Sequence, residues 1–438
     1  MFNIENRIDI VIGLIYNDYY HHKYNTNYHK KLYIEYKRSW NNLKENGCIG
    51  EENFINRFER IIDSIKTLKK NTSPVPLIEY HYNNNVDKWI FDGFHRVSTC
   101  MYHNIKLNTT IREIKHLNMN YPLPKSLWWK HYWYPLNINY FQYKNTQNYS
   151  ALDPTYINYI MFYYLLNIKK KFSVIISYEG DITEYLNNFH IIFKTKINIP
   201  NNNFQKNLIE LLYYKDKWPK QCYIQKSEDC FIGKDLIIYF INYENLNFIK
   251  NEKTKIRKIF NRQQHSIHST DNQHESNDLV YLLNMNTINF LSLTPSLFNN
   301  FKNFNYLLCK LREYCKKYNL DTNKLCITSS SVLSVYGIRD CRDMDLFIDK
   351  EYENNFKNSQ FDHHNKYTVD GHYPYHFEDI IYNPNNHFYY KGFKFCNLSI
   401  ILKYKQYRVD NKLFGDVSIQ KDIRDINNIN LVNENNDC

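Results

Sequence analysis

Between Cys326 and Asp349 the chain reads CITSSSVLSVYGIRDCRDMDLFID, a run that few architectures accommodate. Cys326 to Thr328 suit a short strand and Ser329 to Ser331 a tight turn. Val332 to Tyr336 suit a helical turn stopped by Gly337, and Met344 to Ile348 a second strand. Residues two apart on a strand point to one face, so Asp343 and Asp345 present their carboxylates together. Two like charges that close repel, and a divalent cation relieves them. The serine-rich turn supplies hydroxyls and backbone N–H groups at a helix start, where phosphate oxygens bind. Metal and phosphate then meet at one sheet edge, the arrangement that metal-assisted phosphoryl transfer requires.

The pattern resembles the minimal members of the DNA polymerase beta superfamily of nucleotidyltransferases, which carry a Gly-Ser or Gly-Gly turn, a helix and then D-x-D on the next strand. KGFKFCNLSIILKYKQYR and the later KDIRDI resemble the closing helices of that group, so the likeness covers about residues 305–430. It implies Mg²⁺ or Mn²⁺ on Asp343 and Asp345, a nucleoside triphosphate as substrate, and triphosphate contacts at Ser329 and Ser330. It also implies a third carboxylate on a later strand. Asp379 and Glu378 in HFEDIIYNP are its candidates, with Asp379 taken to complete the catalytic set. The chain departs from the family in the turn, where Thr328, Ser329, Ser330 and Ser331 stand in place of the expected glycine.

A second constellation, WIFDGFHRVSTCMYHN, follows the extended PVPLIEY. A strand ends at Phe91, Asp92 and Gly93 turn the chain, and His95 and Arg96 open a helix. Gly93 lets backbone approach a ligand, Arg96 suits phosphate oxygens and His95 adds a titratable group. The alternative is that Asp92 caps the helix and Arg96 pairs with it. The segment resembles the ParB and sulfiredoxin-like nucleotide-binding fold, with D-G-x-H-R between strand and helix. That resemblance implies nucleotide binding at Asp92, Gly93, His95 and Arg96.

The 438 residues exceed what one core usually serves. The expectation is a multidomain α/β (α+β) protein of mixed sheets with flanking helices: a ParB/sulfiredoxin-like domain at 1–145, a mixed domain at 150–300, and a nucleotidyltransferase-like domain at 305–430. A helical region through Ser64 and strands at FSVIISYEGD, HIIFKTKINI and DLIIYFINY fit this plan. In NFNYLLCKLREYCKKYNL, Tyr306, Leu307, Leu311 and Tyr314 recur at helical spacing, with Cys309 and Cys315 in the same pattern.

With 41 Tyr, 27 Phe and only 10 Gly, the composition follows AT-rich codons, as in a large DNA virus, so the net charge of +11 is weak evidence for a polyanionic partner. The basic, aromatic stretch His21 to Trp40 reads as a helix with a solvated face. The ten cysteines lack C-x-x-C pairs, which points to a reducing compartment, the cytoplasm or a host's cytoplasm. YINYIMFYYLLNI at 156–168 is too short and too interrupted to span a bilayer, so no membrane insertion is expected. His268, Asp271 and Glu275 suit either three metal ligands or, preferably, a capped helix start. Trp128, Trp129 and Trp133 suit a domain junction.

The favoured function is metal-dependent nucleotidyl transfer from a nucleoside triphosphate, with the acceptor open among small molecule, glycan, protein and nucleic acid. The alternatives are a phosphotransferase centred on Asp92, His95 and Arg96, or a noncatalytic nucleic-acid-binding or assembly protein.

Overall fold

The computed structural model describes residues 8–41, 51–82, 85–90, 93–116, 152–213, 220–231, 233, 235–243, 245–297, 301–357, 359–413 and 415–434. They form an α+β protein divided into two compact units, Met1–Lys169 and Lys170–Cys438.

In the first unit, helices α1 (Ile8–His22), α2 (Tyr28–Asn41) and α3 (Glu51–Leu68) precede strands β1 (Val75–Tyr82) and β2 (Asn85–Ile90). Helix α4 (Phe94–Tyr102), strand β3 (Thr109–His116) and helix α5 (Pro154–Tyr163) follow. The sheet order is β2-β1-β3: β1 and β2 are an antiparallel hairpin, and α4 returns the chain so that β3 lies parallel to β1. The helices close on fully buried Tyr16, Tyr33 and Phe58, with Tyr16 stacked on Phe58 at 5.1 Å. Because a Cβ at Gly13 would lie 2.7 Å from the Cβ of Ser98, α1 meets α4 at a separation that only glycine permits.

Two expectations change here. His21 to Trp40 is not one helix, since the chain leaves α1 at Lys23 (φ 48°) before α2 begins. The apolar run expected to open the middle domain starts as α5, capped by Asp153, and belongs to the first unit. There Tyr159 Oη lies 2.7 Å from His29 Nε2.

The second unit holds two sheets. Strands β4 (Phe172–Ser177), β5 (Ile191–Asn198), β6 (Asp235–Asn242) and β7 (Ile267–Ser269) form an antiparallel sheet in the order β5-β6-β4-β7. Around it lie α6 (Asn202–Tyr213), α7 (Lys220–Cys230), α8 (Leu246–Phe260), α9 (Gln273–Val280) and α10 (Met285–Leu293). Helix α11 (Lys302–Lys317), strand β8 (Leu325–Thr328), helix α12 (Ser330–Val335), strand β9 (Asp345–Ile348) and helix α13 (Glu353–Phe356) come next. Strand β10 (Asp362–His363), helices α14 (Asn365–Val369) and α15 (Phe377–Tyr382), and strands β11 (His387–Tyr390) and β12 (Phe393–Cys396) continue the chain. Helices α16 (Leu398–Asp410) and α17 (Asp416–Glu434) close it.

The second sheet is mixed, in the order β10-β9-β8-β12-β11. Residues expected to form separate middle and last domains pack together. Phe290 stacks on Phe388 at 4.5 Å, Asn284 Nδ2 donates to Pro384 O at 3.1 Å, and Tyr390 Oη donates to Leu297 O at 2.9 Å. On α11 the buried stripe is Phe304, Leu308, Leu311 and Cys315, whereas Tyr306 and Cys309 face outward. A straight helix turns only a 3.6-residue stripe toward its neighbours, and Phe304 starts that stripe two residues before Tyr306. Among the described residues no helix is long and apolar enough to cross a membrane.

Candidate functional site

Strand β8 delivers the chain to a turn at Ser329, whose backbone (φ 56°, ψ −133°) lies in a region that favours glycine. This is the position where the turn glycine was missed in the sequence. The serine is held there by its surroundings: its hydroxyl hydrogen-bonds the carboxylate of Asp345, and the residue is buried. Non-glycine residues in such conformations store about 1–3 kcal/mol. Ser329→Gly is therefore expected to be more stable than Ser329→Ala by about 1–2 kcal/mol in urea denaturation, since alanine keeps the strain and loses the hydroxyl.

Past α12, Ser331 Oγ donates to Asp343 O at 3.3 Å and fixes the backbone entering β9. Asp345 starts β9 opposite Thr328, and β10 adds to the outer edge of β9 in parallel, with Asp362 in register with Asp345. Neighbouring strands lie about 4.8 Å apart. Asp343, Asp345 and Asp362 accordingly bring one carboxylate oxygen each within 4.8 Å of one another. Asp345 is buried, and the other two are exposed.

The electrostatics differ between them. Although Asp343 is largely exposed, partial desolvation, then the neighbouring Asp345 and Asp362, push its carboxyl up. Burial also pushes Asp345 upward, but His364, Ser329 and Lys405 outweigh it and hold its carboxyl below the usual range. His364 Nε2 stands 3.3 Å from Asp345 Oδ1, and its Nδ1 is 3.3 Å from Tyr373 Oη. Tyr373 Oη lies 3.3 Å from Thr328 Oγ1, and its ring stacks on Tyr404 at 4.0 Å. With Nε2–H donating to Asp345, Nδ1 accepts from Tyr373, so one chain of hydrogen bonds orients the central carboxylate.

Asp379, expected as the third acid, is not brought into this group. It lies in the first turn of α15, where its Oδ2 accepts from Asn386 Nδ2 at 2.8 Å. Glu378 is buried, with an oxygen 3.0 Å from Lys350 Nζ. The third carboxylate is Asp362, and neither it nor His364 was singled out in the sequence. The sequence gives them no periodic signal, since β10 is only Asp362–His363 and His364 lies beyond it. Ser330 opens α12 and is buried.

The amino-terminal motif is occupied by packing. Arg96 Nη1 donates to Ser73 O at 3.2 Å and Pro74 O at 3.1 Å, clamping the entrance of β1 to α4. Gly93 has φ 92°, and a Cβ there would lie 2.7 Å from Arg96 Nη2, so the glycine makes room for the guanidinium. His95 Nε2 is 2.8 Å from Tyr33 Oη, and burial followed by the charge of Lys37 drives its pKa well below the ordinary value. Asp92 lies outside the described residues, as do Trp128, Trp129 and Trp133.

Around His268, Glu275 accepts from the Asp271 N–H at 2.8 Å and stands 2.7 Å from His268 Nε2, while Asn272 caps α9. That is the helix-start arrangement, with Asn272 as the cap.

Comparison with family models, curated proteins and solved structures finds no match to the chain.

Proposed function

We propose that the chain transfers a nucleotidyl group, in a metal-dependent reaction, from a nucleoside triphosphate to an acceptor nucleophile. The convergence of three carboxylates where β9 and β10 begin, each offering one oxygen within 4.8 Å of the others, carries this reading. Such a donor set suits Mg²⁺ or Mn²⁺, hard cations that take oxygen ligands. Bound there, the cation would neutralise triphosphate charge. Asp343, Asp345 and Asp362 hold it, His364 and Ser329 fix Asp345, and Ser330 contacts the triphosphate. Exposed Lys421, whose charge is felt at Asp343, supplies a cation for the departing phosphates.

The test is pyrophosphate release from each nucleoside triphosphate with Mg²⁺ or Mn²⁺, over a panel of nucleic-acid, protein, glycan and small-molecule acceptors. Wild type and Asp379→Ala are expected to turn over, while Asp343→Ala and Asp362→Ala lose turnover. Equal consumption by wild type and Asp343→Ala would sink the proposal. Loss confined to Arg96→Ala would move the chemistry to the first unit.

A further inference from the structure

A cavity of about 310 Å³ opens in the second unit between α6, α9, α11 and the β11–β12 turn. It is remote from the acid group. β11 lies three strands from β9 in the sheet, a lateral offset of about 14 Å at ordinary strand spacing. The registers put the turn after Tyr390 at the Leu325 end of β8, whereas Asp345 pairs with Thr328 at the other end. Whatever enters the cavity does not share a subsite with the carboxylates.

The apolar part of the wall is Leu211, Leu297 and Tyr390, and the tyrosine is fixed by its hydrogen bond to Leu297 O at 2.9 Å. The acids around it are already served by the protein. Glu210 accepts from the Leu297 N–H at 3.0 Å and from Ser296 Oγ at 3.4 Å, and Asp278 Oδ2 lies 3.0 Å from His274 Nδ1.

The cations of the wall meet neutral groups. Arg312 donates through Nη2 to Lys391 O at 3.0 Å and lies over the Phe393 ring, while Lys391 Nζ stands 5.0 Å from the Tyr390 ring. Among the described residues neither forms an ion pair with a carboxylate. Lys391 sits at φ 47°, followed by Gly392 at φ 82°, so a tight turn holds the ammonium group at the mouth. Burial and then the Arg312 charge push the Lys391 pKa down.

From the unpaired Arg312 and Lys391 above an apolar wall, we propose that the cavity is a second ligand site for an amphipathic organic anion, a carboxylate or phosphomonoester head on an aliphatic body. The head lies between the guanidinium and the ammonium, and the body lies along Leu211, Leu297 and Tyr390. This site is independent of the reaction proposed above.

Isothermal titration of the full chain with octanoate, octyl phosphate, 1-octanol and inorganic phosphate tests it. Octanoate or octyl phosphate is expected to bind at one site per chain, and the tighter of the two identifies the head group. Octanol, which lacks the charged head, and inorganic phosphate, which lacks the apolar body, are each expected to bind at least about tenfold more weakly. Arg312→Gln and Lys391→Gln are each expected to weaken the anion about tenfold or more while Mn²⁺ binding at the carboxylates is unchanged. Lys391→Gln lies in a surface turn and serves if Arg312→Gln fails to fold. Octanol binding as tightly as octanoate, unchanged octanoate affinity in a folded variant, or no binding by either anion overturns the proposal.

Discussion

Asp345→Asn is expected to lower metal-dependent turnover by about a thousandfold or more and to abolish measurable Mn²⁺ binding. The substitution keeps the shape of the side chain and removes one charge from the carboxylate that β9 places opposite Asp362. Metal stabilisation of developing charge contributes several kcal/mol, and each 1.4 kcal/mol is a factor of about ten. Asp343→Asn provides the internal contrast. The Asp343 carboxyl is pushed up by partial desolvation and by two neighbouring acids, so folding disfavours its ionised form in the metal-free protein and the neutral amide relieves it. For Asp345 the sign is opposite, because His364, Ser329 and Lys405 together favour the carboxylate over burial. Without metal, Asp343→Asn is expected to raise the melting temperature at neutral pH and Asp345→Asn to lower it. Turnover within tenfold of wild type in Asp345→Asn, measured by pyrophosphate release, would remove the carboxylates from the chemistry.

Much of that site was legible because its signals are local. The strand, turn, helix and strand between Cys326 and Ile348 occur in the expected order, though the helix already begins at Ser330 and β9 at Asp345, which leaves Asp343 two residues ahead of the strand. The hairpin and helix of the first unit were legible for the same reason: PVPLIEY and KWIF are bounded by polar turns, and Gly93 takes a left-handed conformation before α4.

Asp362 was not legible. A strand of two residues has no periodicity, and only the bridge to β9 makes Asp362–His363 a strand at all. Asp379 misled because an acid in the first turn of a helix, where it favours the positive end of the dipole, looks locally like an acid aimed at a ligand. Ser329 shows the limit of residue-type reasoning about turns: the turn demands a glycine-like backbone, and the chain provides it from serine under constraint. The first unit runs on to Lys169, past the expected break near residue 150, and the interaction of Tyr159 with His29 within it leaves no local trace.

Lys405→Met is expected to destabilise the protein by about 3–5 kcal/mol, the cost of removing one partner from a buried ionic cluster. Lys405, Asp422 and Asp425 are all buried, and the Lys405 Nζ stands 2.8 Å from Asp422 Oδ1 and 2.8 Å from Asp425 Oδ2. Arg339 grips Asp425 with two bonds, Nε to Oδ1 at 2.7 Å and Nη2 to Oδ2 at 2.8 Å, and Arg408 Nε lies 3.0 Å from Asp422 Oδ2. The cluster thereby ties α16 and α17 to Arg339, four residues before Asp343, so it anchors the segment that presents the acids.

Methionine fills the space of the lysine stem but leaves two buried carboxylates with one cation each. Urea denaturation measures the loss, and Lys405→Met/Asp422→Asn is expected to recover part of it by removing one uncompensated charge. Burial raises the Asp425 carboxyl, yet Arg339 and Lys405 outweigh it and hold it below the ordinary range. The contribution of Asp425 is therefore fully present above about pH 4, the unfolded carboxyl value, and is lost as pH falls through the lower folded value. In Lys405→Met the folded value moves up toward the unfolded one, so the contribution is smaller and its loss is complete at a higher pH. A destabilisation below about 1 kcal/mol would show that the two arginines alone satisfy Asp422 and Asp425, and the anchoring role would pass to Arg339.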